Sequence, residues 1–237
     1  MTAPVAFIGD SHLLPDESSV PEFIEFLRTA PGRYSRLVLL GDIFDLWIAR
    51  PAFHDDHHEE VLAAFHEAEQ AGFPIDYTVG NRDYAVETLR PSPFDRVEPE
   101  VLAERPEQPR WLAEHGDLVN QDDRQYQGWR RFSRSRFVLG PVCCLPSFIG
   151  KPLSLWLERK MRTTNLAYKR RFPLEHVQRR AAAQFAETGA RHLVLGHFHE
   201  ERHHEVEGGE VWVLPDWKRS HRHLEWDGES MRFAPSF

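Results

Sequence analysis

Gly41-Asp42-Ile43-Phe44-Asp45 follows the apolar run Leu37-Val38-Leu39-Leu40, itself preceded by Pro31-Gly32. The pattern predicts a buried strand that ends in a glycine turn with a carboxylate at its tip. Alone it means little, because Gly and Asp end strands in many proteins. Four other segments repeat the plan. Val5-Ala6-Phe7-Ile8 leads into Gly9-Asp10-Ser11-His12, and Tyr77-Thr78-Val79 into Gly80-Asn81-Arg82-Asp83. Trp111-Leu112-Ala113 leads into Glu114-His115-Gly116-Asp117, and His192-Leu193-Val194-Leu195 into Gly196-His197-Phe198-His199. Five strand ends carrying Asp, His and Asn fit one site along a sheet edge.

The 237 residues suffice for one large core with an insertion. With 41% hydrophobic and 28% charged residues, the composition is that of a soluble globular protein. The net charge of -8 argues against nucleic acid as the main partner. Basic residues concentrate between Arg124 and Arg180, while the first hundred residues are acidic; this predicts a basic face toward an anion or a membrane surface. The two cysteines, Cys143 and Cys144, are adjacent and offer no disulfide framework. No leader pattern and no apolar run of about 18 residues is visible, so the expected location is the cytoplasm, or the cytosolic face of the inner membrane as a peripheral protein. A monomer is favoured.

In chain order, strand 4–9 delivers Asp10 and His12, and a helix over 21–30 has Ser18 or Ser19 as its cap. Strand 36–40 delivers Asp42. A helix over 54–72 buries Val61, Leu62, Phe65 and Ala68 and stops at Gly72. Its start, His54-Asp55-Asp56-His57-His58, can be read as metal-binding, but is read here as a solvated helix start favoured by the dipole. Strand 74–79 delivers Asn81, a short helix spans 82–90, and strands at 100–105 and 110–114 lead to His115. The segment 117–172 carries no strand-then-ligand unit. It reads as two basic amphipathic helices joined by the apolar connector Val138–Pro146, and forms either a helical pair packed on the core or a lid with a greasy basic surface. A helix over 173–188 ends at Gly189, strand 191–195 delivers His197 and His199, and the tail 201–233 closes a second sheet. His221 and His223 read as surface residues, and Trp212, Trp217 and Trp226 as packing residues.

Oxygen and nitrogen ligands without thiolates suit manganese, iron or zinc in a two-metal site. Two divalent ions about 3.5–4 Å apart need a shared ligand, and Asp42, on a central strand, is the candidate. Such ions neutralise phosphate oxygens and bring a water toward ionisation.

Taken together, Gly9-Asp10-Ser11-His12, Gly41-Asp42, Gly80-Asn81, His115 and Gly196-His197-Phe198-His199 resemble, in order, the five signature blocks of the calcineurin-like metallophosphoesterases. The resemblance implies an α/β (α+β) four-layer sandwich of two mixed β-sheets flanked by helices. It implies one domain over 1–237, with a helical lid insertion at about 120–172. It also implies one metal on Asp10, His12, Asp42 and His199 and a second on Asp42, Asn81, His115 and His197, with Mn2+ the first expectation and Fe or Zn the alternatives. Asp42, Asn81, Arg82 and His115 are the implied catalytic residues.

Most members have His after the Asn of the third block; here it is Arg82. Arginine cannot serve as a general acid, but it can grip phosphate oxygens in a fork. That favours a leaving group needing no proton, such as the phosphate of a phosphoanhydride. The Asn-Arg-Asp version is similar to the bacterial UDP-2,3-diacylglucosamine hydrolases, as are Gly41–Ile48, the Asp122–Gln127 stretch and Lys160-Met161-Arg162. This likeness implies cleavage of a UDP-sugar lipid to UMP and a lipid phosphate in lipid A biosynthesis, at the inner-membrane surface. Substrate contacts would come from Asn81, Arg82, Asp122, Tyr126, Arg162, Asn165 and Lys169. Alternatives are a soluble metallophosphodiesterase or nucleotide pyrophosphatase, and a non-catalytic scaffold of the same fold. Asp45 and Asp83 are expected to orient ligands or cap helices.

Overall fold

The computed structural model describes residues 3–15, 18–103, 110–164 and 172–237, with the backbone alone at 161–164. In chain order, strand β1 (Val5–Ile8) is followed by helix α1 (Ser19–Thr29), β2 (Arg36–Leu39) and the two-residue β3 (Trp47–Ile48). Then come α2 (Asp56–Gln70), β4 (Ile75–Thr78), the two-residue β5 (Asp83–Tyr84), β6 (Arg96–Glu98), β7 (Glu100–Leu102) and β8 (Arg110–Glu114). Three helices follow: α3 (Arg124–Ser133), α4 (Arg136–Cys143) and α5 (Ser147–Thr164). The chain ends with α6 (Leu174–Thr188), β9 (Ala190–Leu195), β10 (Arg202–Val206), β11 (Gly209–Val213), the single-turn α7 (Trp217–Ser220), β12 (Arg222–Trp226) and β13 (Met231–Pro235).

The strands form a six-stranded sheet ordered β13-β12-β1-β2-β4-β6 and a five-stranded sheet ordered β10-β11-β9-β8-β7. β1, β2, β4 and β6 run parallel, so the loops after β1, β2 and β4 leave at one edge. β8 and β9 are parallel in the other sheet, and their loops leave together as well. Phe7, Val38, Leu40, Trp111, Val194 and Trp212 fill the space between the sheets. Val20, Phe23, Phe26 and Leu27 of α1 and Val61, Leu62, Phe65 and Ala68 of α2 cover the outer face of the first sheet, at the spacing of a buried helix face. Val177, Ala181 and Phe185 of α6 cover the second. The layers are therefore helix, sheet, sheet, helix, the architecture expected from the sequence. Buried Asp76 ties three parallel strands, accepting from Arg36 Nη1 at 2.7 Å and from Arg96 Nε at 2.9 Å.

Several expectations need correction. Residues 82–90 form no α-helix. Asp83–Tyr84 pairs with Trp47–Ile48 as a small parallel ribbon, and only Val86–Thr88 makes a 3-10 turn, because backbone pairing with Trp47 and Ala49 holds the chain extended. The apolar connector is largely helical: α4 runs through Gly140 and Pro141, so the segment holds three helices. Leu139, Val142, Leu145, Leu153 and Leu157 pack on Leu46, Ile48, Phe53 and Tyr84, which compensates the backbone bond lost at Pro141. The tail divides, β10 and β11 joining the second sheet while β12 and β13 complete the first. Ser18 precedes α1 without a side-chain capping bond. His223 is fully buried rather than exposed, because Tyr34, Glu225 and Ser236 satisfy its ring nitrogens. His54, His57 and His58 are also buried, where a solvated helix start was expected. Among the described residues no helix is long and apolar enough to cross a membrane.

Candidate active site

The five strand ends converge. Asp10 follows β1, Asp42 follows β2, Asn81 follows β4, His115 follows β8, and His197 and His199 follow β9. The loops are laced to each other: Asp10 N donates to Gly41 O at 3.2 Å, and His12 N to Asp42 O at 3.0 Å. His197 N donates to Asp10 Oδ2 at 2.6 Å, and Arg82 N to Asp42 Oδ1 at 2.8 Å. Asp10, Ser11, Asp42 and His115 are buried. Asp10, His12, Asp42, His197 and His199 all have positive φ, between 43° and 69°, in the left-handed region that non-glycine residues avoid.

Glycine permits the close approach. Gly41 has a φ of 76°, and a Cβ there would stand 2.6 Å from Gly80 Cα. A Cβ on Gly80 would overlap the Asp42 carboxylate, and one on Gly196 would lie 2.8 Å from Asp10 Oδ2.

The donor set fits divalent metal. Two groups of potential ligands converge, Asp10-His12-His199 and Asp10-Asp42-His115. His115 Nδ1 donates to Leu40 O at 2.6 Å, so in the neutral ring Nε2 is a lone pair. That lone pair faces Asn81 Oδ1 at 3.0 Å and Asp42 Oδ2 at 3.7 Å. Lone pairs facing oxygen lone pairs need a positive charge between them, a proton or a metal ion. Metal-ligating histidines characteristically have the other ring nitrogen held in this way. His197 Nδ1 also faces Asn81 Oδ1 at 3.0 Å. His12 Nε2 and His199 Nε2 stand 3.1 Å apart, with their Nδ1 atoms toward Asp45 and Asp216. Buried Asp10 Oδ1 lies 3.2 Å from His199 Nε2.

The electrostatics show the same appetite for positive charge. Burial opposes protonation of His115, yet the Asp42, Asp10 and Asp117 carboxylates push it up to about 9. His197 goes the other way, to about 4, through burial and the charge on His115. Burial disfavours ionised Asp10, but the attraction of His199, His115 and His12 wins and its pKa falls well below the usual range. Asp83 rises to about 6 through burial and the neighbouring Asp42.

Asp83 and Asp45 surround the centre. Asp83 Oδ2 accepts from Asp42 N at 3.0 Å, Gly80 N at 2.8 Å and Tyr77 OH at 2.9 Å. Arg82 is buried, and its Nη1 donates to Asp45 O at 2.7 Å and faces Asp45 Oδ1 at 3.1 Å. Its Nε lies 3.9 Å from Asp42 Oδ2. Part of the guanidinium is therefore committed to the protein, and the rest lies against the candidate ligands. Tyr126 OH donates to Asp117 Oδ2 at 2.6 Å, beside Arg130 Nε on the same oxygen. Asp122 is exposed and faces Arg179 at 3.5 Å and His176 at 3.7 Å on α6. Asn165 and Lys169 lie outside the described residues, as does the side chain of Arg162. Sequence reasoning missed Arg134, whose Nη1 and Nη2 donate to Asp83 O at 2.7 Å and Gly80 O at 2.5 Å. Its cation lies 4.9 Å from the Tyr84 ring centroid. Nothing local in the sequence signalled that reach of about fifty residues.

The chain belongs to the calcineurin-like phosphoesterase family, whose model matches residues 3–201. It is a metal-dependent phosphoester hydrolase of that class. Among curated proteins, the UDP-2,3-diacylglucosamine hydrolase of Ralstonia nicotianae is 31% identical, over 93% of this chain and 86% of the relative. The protein of the same name from Xanthomonas oryzae pv. oryzae is 30% identical, over 95% and 96%. A solved phosphoesterase from E. coli superposes with a TM-score of 0.50 at 14% identity, covering 98% of this chain and 93% of that one, a likeness of fold.

Proposed function

We propose that the chain hydrolyses the pyrophosphate of UDP-2,3-diacylglucosamine to UMP and 2,3-diacylglucosamine 1-phosphate. The observation that carries this reading is the pairing of the convergent Asp/His/Asn centre with a basic, greasy helical lid, α3 to α5. Trp129, Phe132, Phe137, Phe148 and Trp156 are all exposed there, among Arg131, Arg136, Lys151, Arg159 and Lys160. An apolar surface with interspersed cations suits acyl chains and an anionic membrane face. The names of the Ralstonia and Xanthomonas relatives support the substrate.

Asp10, His12, Asp42 and His199 would hold one divalent ion, and Asp42, Asn81, His115 and His197 the other, with manganese first and iron or zinc as alternatives. The ions would supply charge neutralisation and an activated water. The protein's part is positioning. Asp83 fixes the backbone on which Asp42 and Asn81 sit, and Asp45 holds the Arg82 guanidinium beside Asp42. Arg82 then offers a permanent charge to phosphate oxygens without lending a proton. That suits departure of a phosphate, which needs none. Asp122 and Tyr126 on the near edge of the lid, with Arg162, Asn165 and Lys169, would contact the sugar phosphate. The 1–237 chain is one catalytic domain with the lid inserted at about 120–172.

The test is incubation of manganese-loaded protein with UDP-2,3-diacylglucosamine in detergent, with Asp42→Ala as control. UMP from the wild type and none from the variant is the expected result. Cleavage of an aryl phosphodiester without release of UMP would overturn the substrate and favour a soluble phosphodiesterase.

A further inference from the structure

At the start of α2 a second group of metal-ligating side chains has formed, apart from the converging strand ends. Asp55, His57 and His58 bring one carboxylate oxygen and two ring nitrogens together, and both histidines are buried. His54 belongs to the surroundings only. Its Nε2 accepts from Trp47 Nε1 at 3.3 Å, and its Nδ1 faces Glu59 Oε1 at 2.9 Å, so both nitrogens are used.

The hydrogen bonding of the other two histidines closes with protons alone only if a buried imidazolium is placed there. His58 Nε2 faces Leu46 O at 3.3 Å, and a carbonyl can only accept, so that nitrogen carries the proton. In the neutral ring Nδ1 is then a lone pair, yet it stands 2.7 Å from Asp55 Oδ1, another acceptor. His57 Nδ1 presses on the same Asp55 Oδ1, and it is a buried nitrogen with no hydrogen bond. The proton-only solution places an imidazolium at a 5% exposed residue packed 4.4 Å from the Phe44 ring, with a second N–H on one crowded oxygen. A cation bound by both Nδ1 atoms and the carboxylate satisfies every group at once. The arrangement repeats what His115 shows, with one ring nitrogen on a backbone carbonyl and the other turned to acidic ligands.

We propose that Asp55, His57 and His58 form a separate metal site for one divalent cation of the zinc class. Two imidazoles and one carboxylate suit zinc, with water completing the tetrahedron. The positive end of α2 opposes a cation there, and the Asp55 carboxylate offsets it. Such an ion would fix the His58 ring that bonds Leu46 O, and so fasten the first turn of α2 to the chain just before β3. Its contribution would be to stability, since none of its three ligands belongs to the strand-end groups.

The experiment uses the full chain, zinc as the probe and two variants. His57→Gln removes one ligand, and Asp55→Ser removes another while keeping a helix-capping oxygen. Each protein is saturated with zinc and freed of excess by gel filtration, and its metal content per chain is measured by inductively coupled plasma mass spectrometry. Wild type is expected to hold one equivalent more than either variant, while all three hydrolyse an aryl phosphodiester at the same rate with manganese. Because the result is a difference, it stands whatever number the central site holds. Equal zinc in wild type and both variants would overturn the proposal.

Discussion

Gly80→Ala should disable the centre without removing a single candidate ligand. The new Cβ would overlap Asp42 Oδ1 and stand 2.7 Å from Asp42 N and 3.0 Å from Asp42 Cγ. Ordinary carbon contacts lie near 3.5–4.0 Å, so Asp42 or the β4 loop must move by roughly 1 Å. Asp42 cannot swing freely, because its Oδ1 accepts from Arg82 N and its own N donates to Asp83 Oδ2. A displacement of about 1 Å at a reacting centre costs about a hundredfold in rate, and overpacking a tight site costs about 1–3 kcal/mol in stability. Gly72→Ala is the matched control. Gly72 also has positive φ, 75°, but a Cβ there meets nothing within 4 Å, so only backbone strain of about 1–2 kcal/mol is added. The assay is hydrolysis of an aryl phosphodiester with manganese, alongside metal content and thermal melting. Gly80→Ala should lose about two orders of magnitude in kcat while Gly72→Ala stays near wild type. Equal activity in the two variants would refute the claim that contact between Gly80 and Asp42 sets the site.

Arg134→Met should loosen the third-block loop, since two charge-assisted bonds to Gly80 O and Asp83 O are lost; we expect about 2 kcal/mol of destabilisation and faster amide exchange at residues 80–84, read by hydrogen-exchange mass spectrometry. The wild type should lose stability as pH falls from 6.5 toward 4, because burial holds His223 at about 4 and the unfolded ring takes up a proton first. At about 1.36 kcal/mol per pH decade, that interval sets a ceiling of about 3 kcal/mol, and His223→Gln should flatten it in urea denaturation curves. His199→Asn should keep the left-handed backbone, since Asn tolerates it and φ at His199 is 57°; the EDTA-treated protein should lose only the attraction to Asp10, while most of the rise in melting temperature on adding manganese should be abolished.

The strand ends could be read in sequence because their signal is local: an apolar run, a glycine, then a ligand. The faces of α1 and α2 were legible for the same reason, through the spacing of Phe23, Phe26 and Leu27 and of Val61, Leu62 and Phe65. What failed depends on tertiary partners that periodicity does not show, some near in the chain and some far. His223 looks like a surface residue until Tyr34 and Ser236, 189 and 13 residues away, arrive to bond it. The His54–His58 run looks solvated until Leu46 O and the Phe44 and Trp47 rings close over it. Gly140-Pro141 reads as a break, yet α4 continues because Leu139 and Val142 bury themselves against Leu46 and Ile48. Local propensity was outweighed by tertiary packing.

Backbone strain explains why so many glycines and polar bonds surround so few functional groups. Among the described residues seven non-glycine positions have positive φ, and five of them are candidate ligands. At about 1–2 kcal/mol each for an L-residue, five such positions cost about 5–10 kcal/mol, comparable to the whole net stability of a domain. Asp and His tolerate the region better than most side chains, but the remainder must be offset by bonds to the same loops. Asp10 Oδ2 holds His197 N, Asp42 Oδ1 holds Arg82 N, and Asp83 Oδ2 holds both Asp42 N and Gly80 N. The Asp10 and Asp42 carboxylates thus have two tasks at once, one oxygen bracing a neighbour's backbone while the other faces the centre. Strand ends from two sheets are locked by one another rather than by their own strands, so removing one carboxylate releases strain at a second loop as well as a ligand. Substitutions among Asp10, Asp42 and Asp83 should therefore combine non-additively, because each acts on geometry that the others hold.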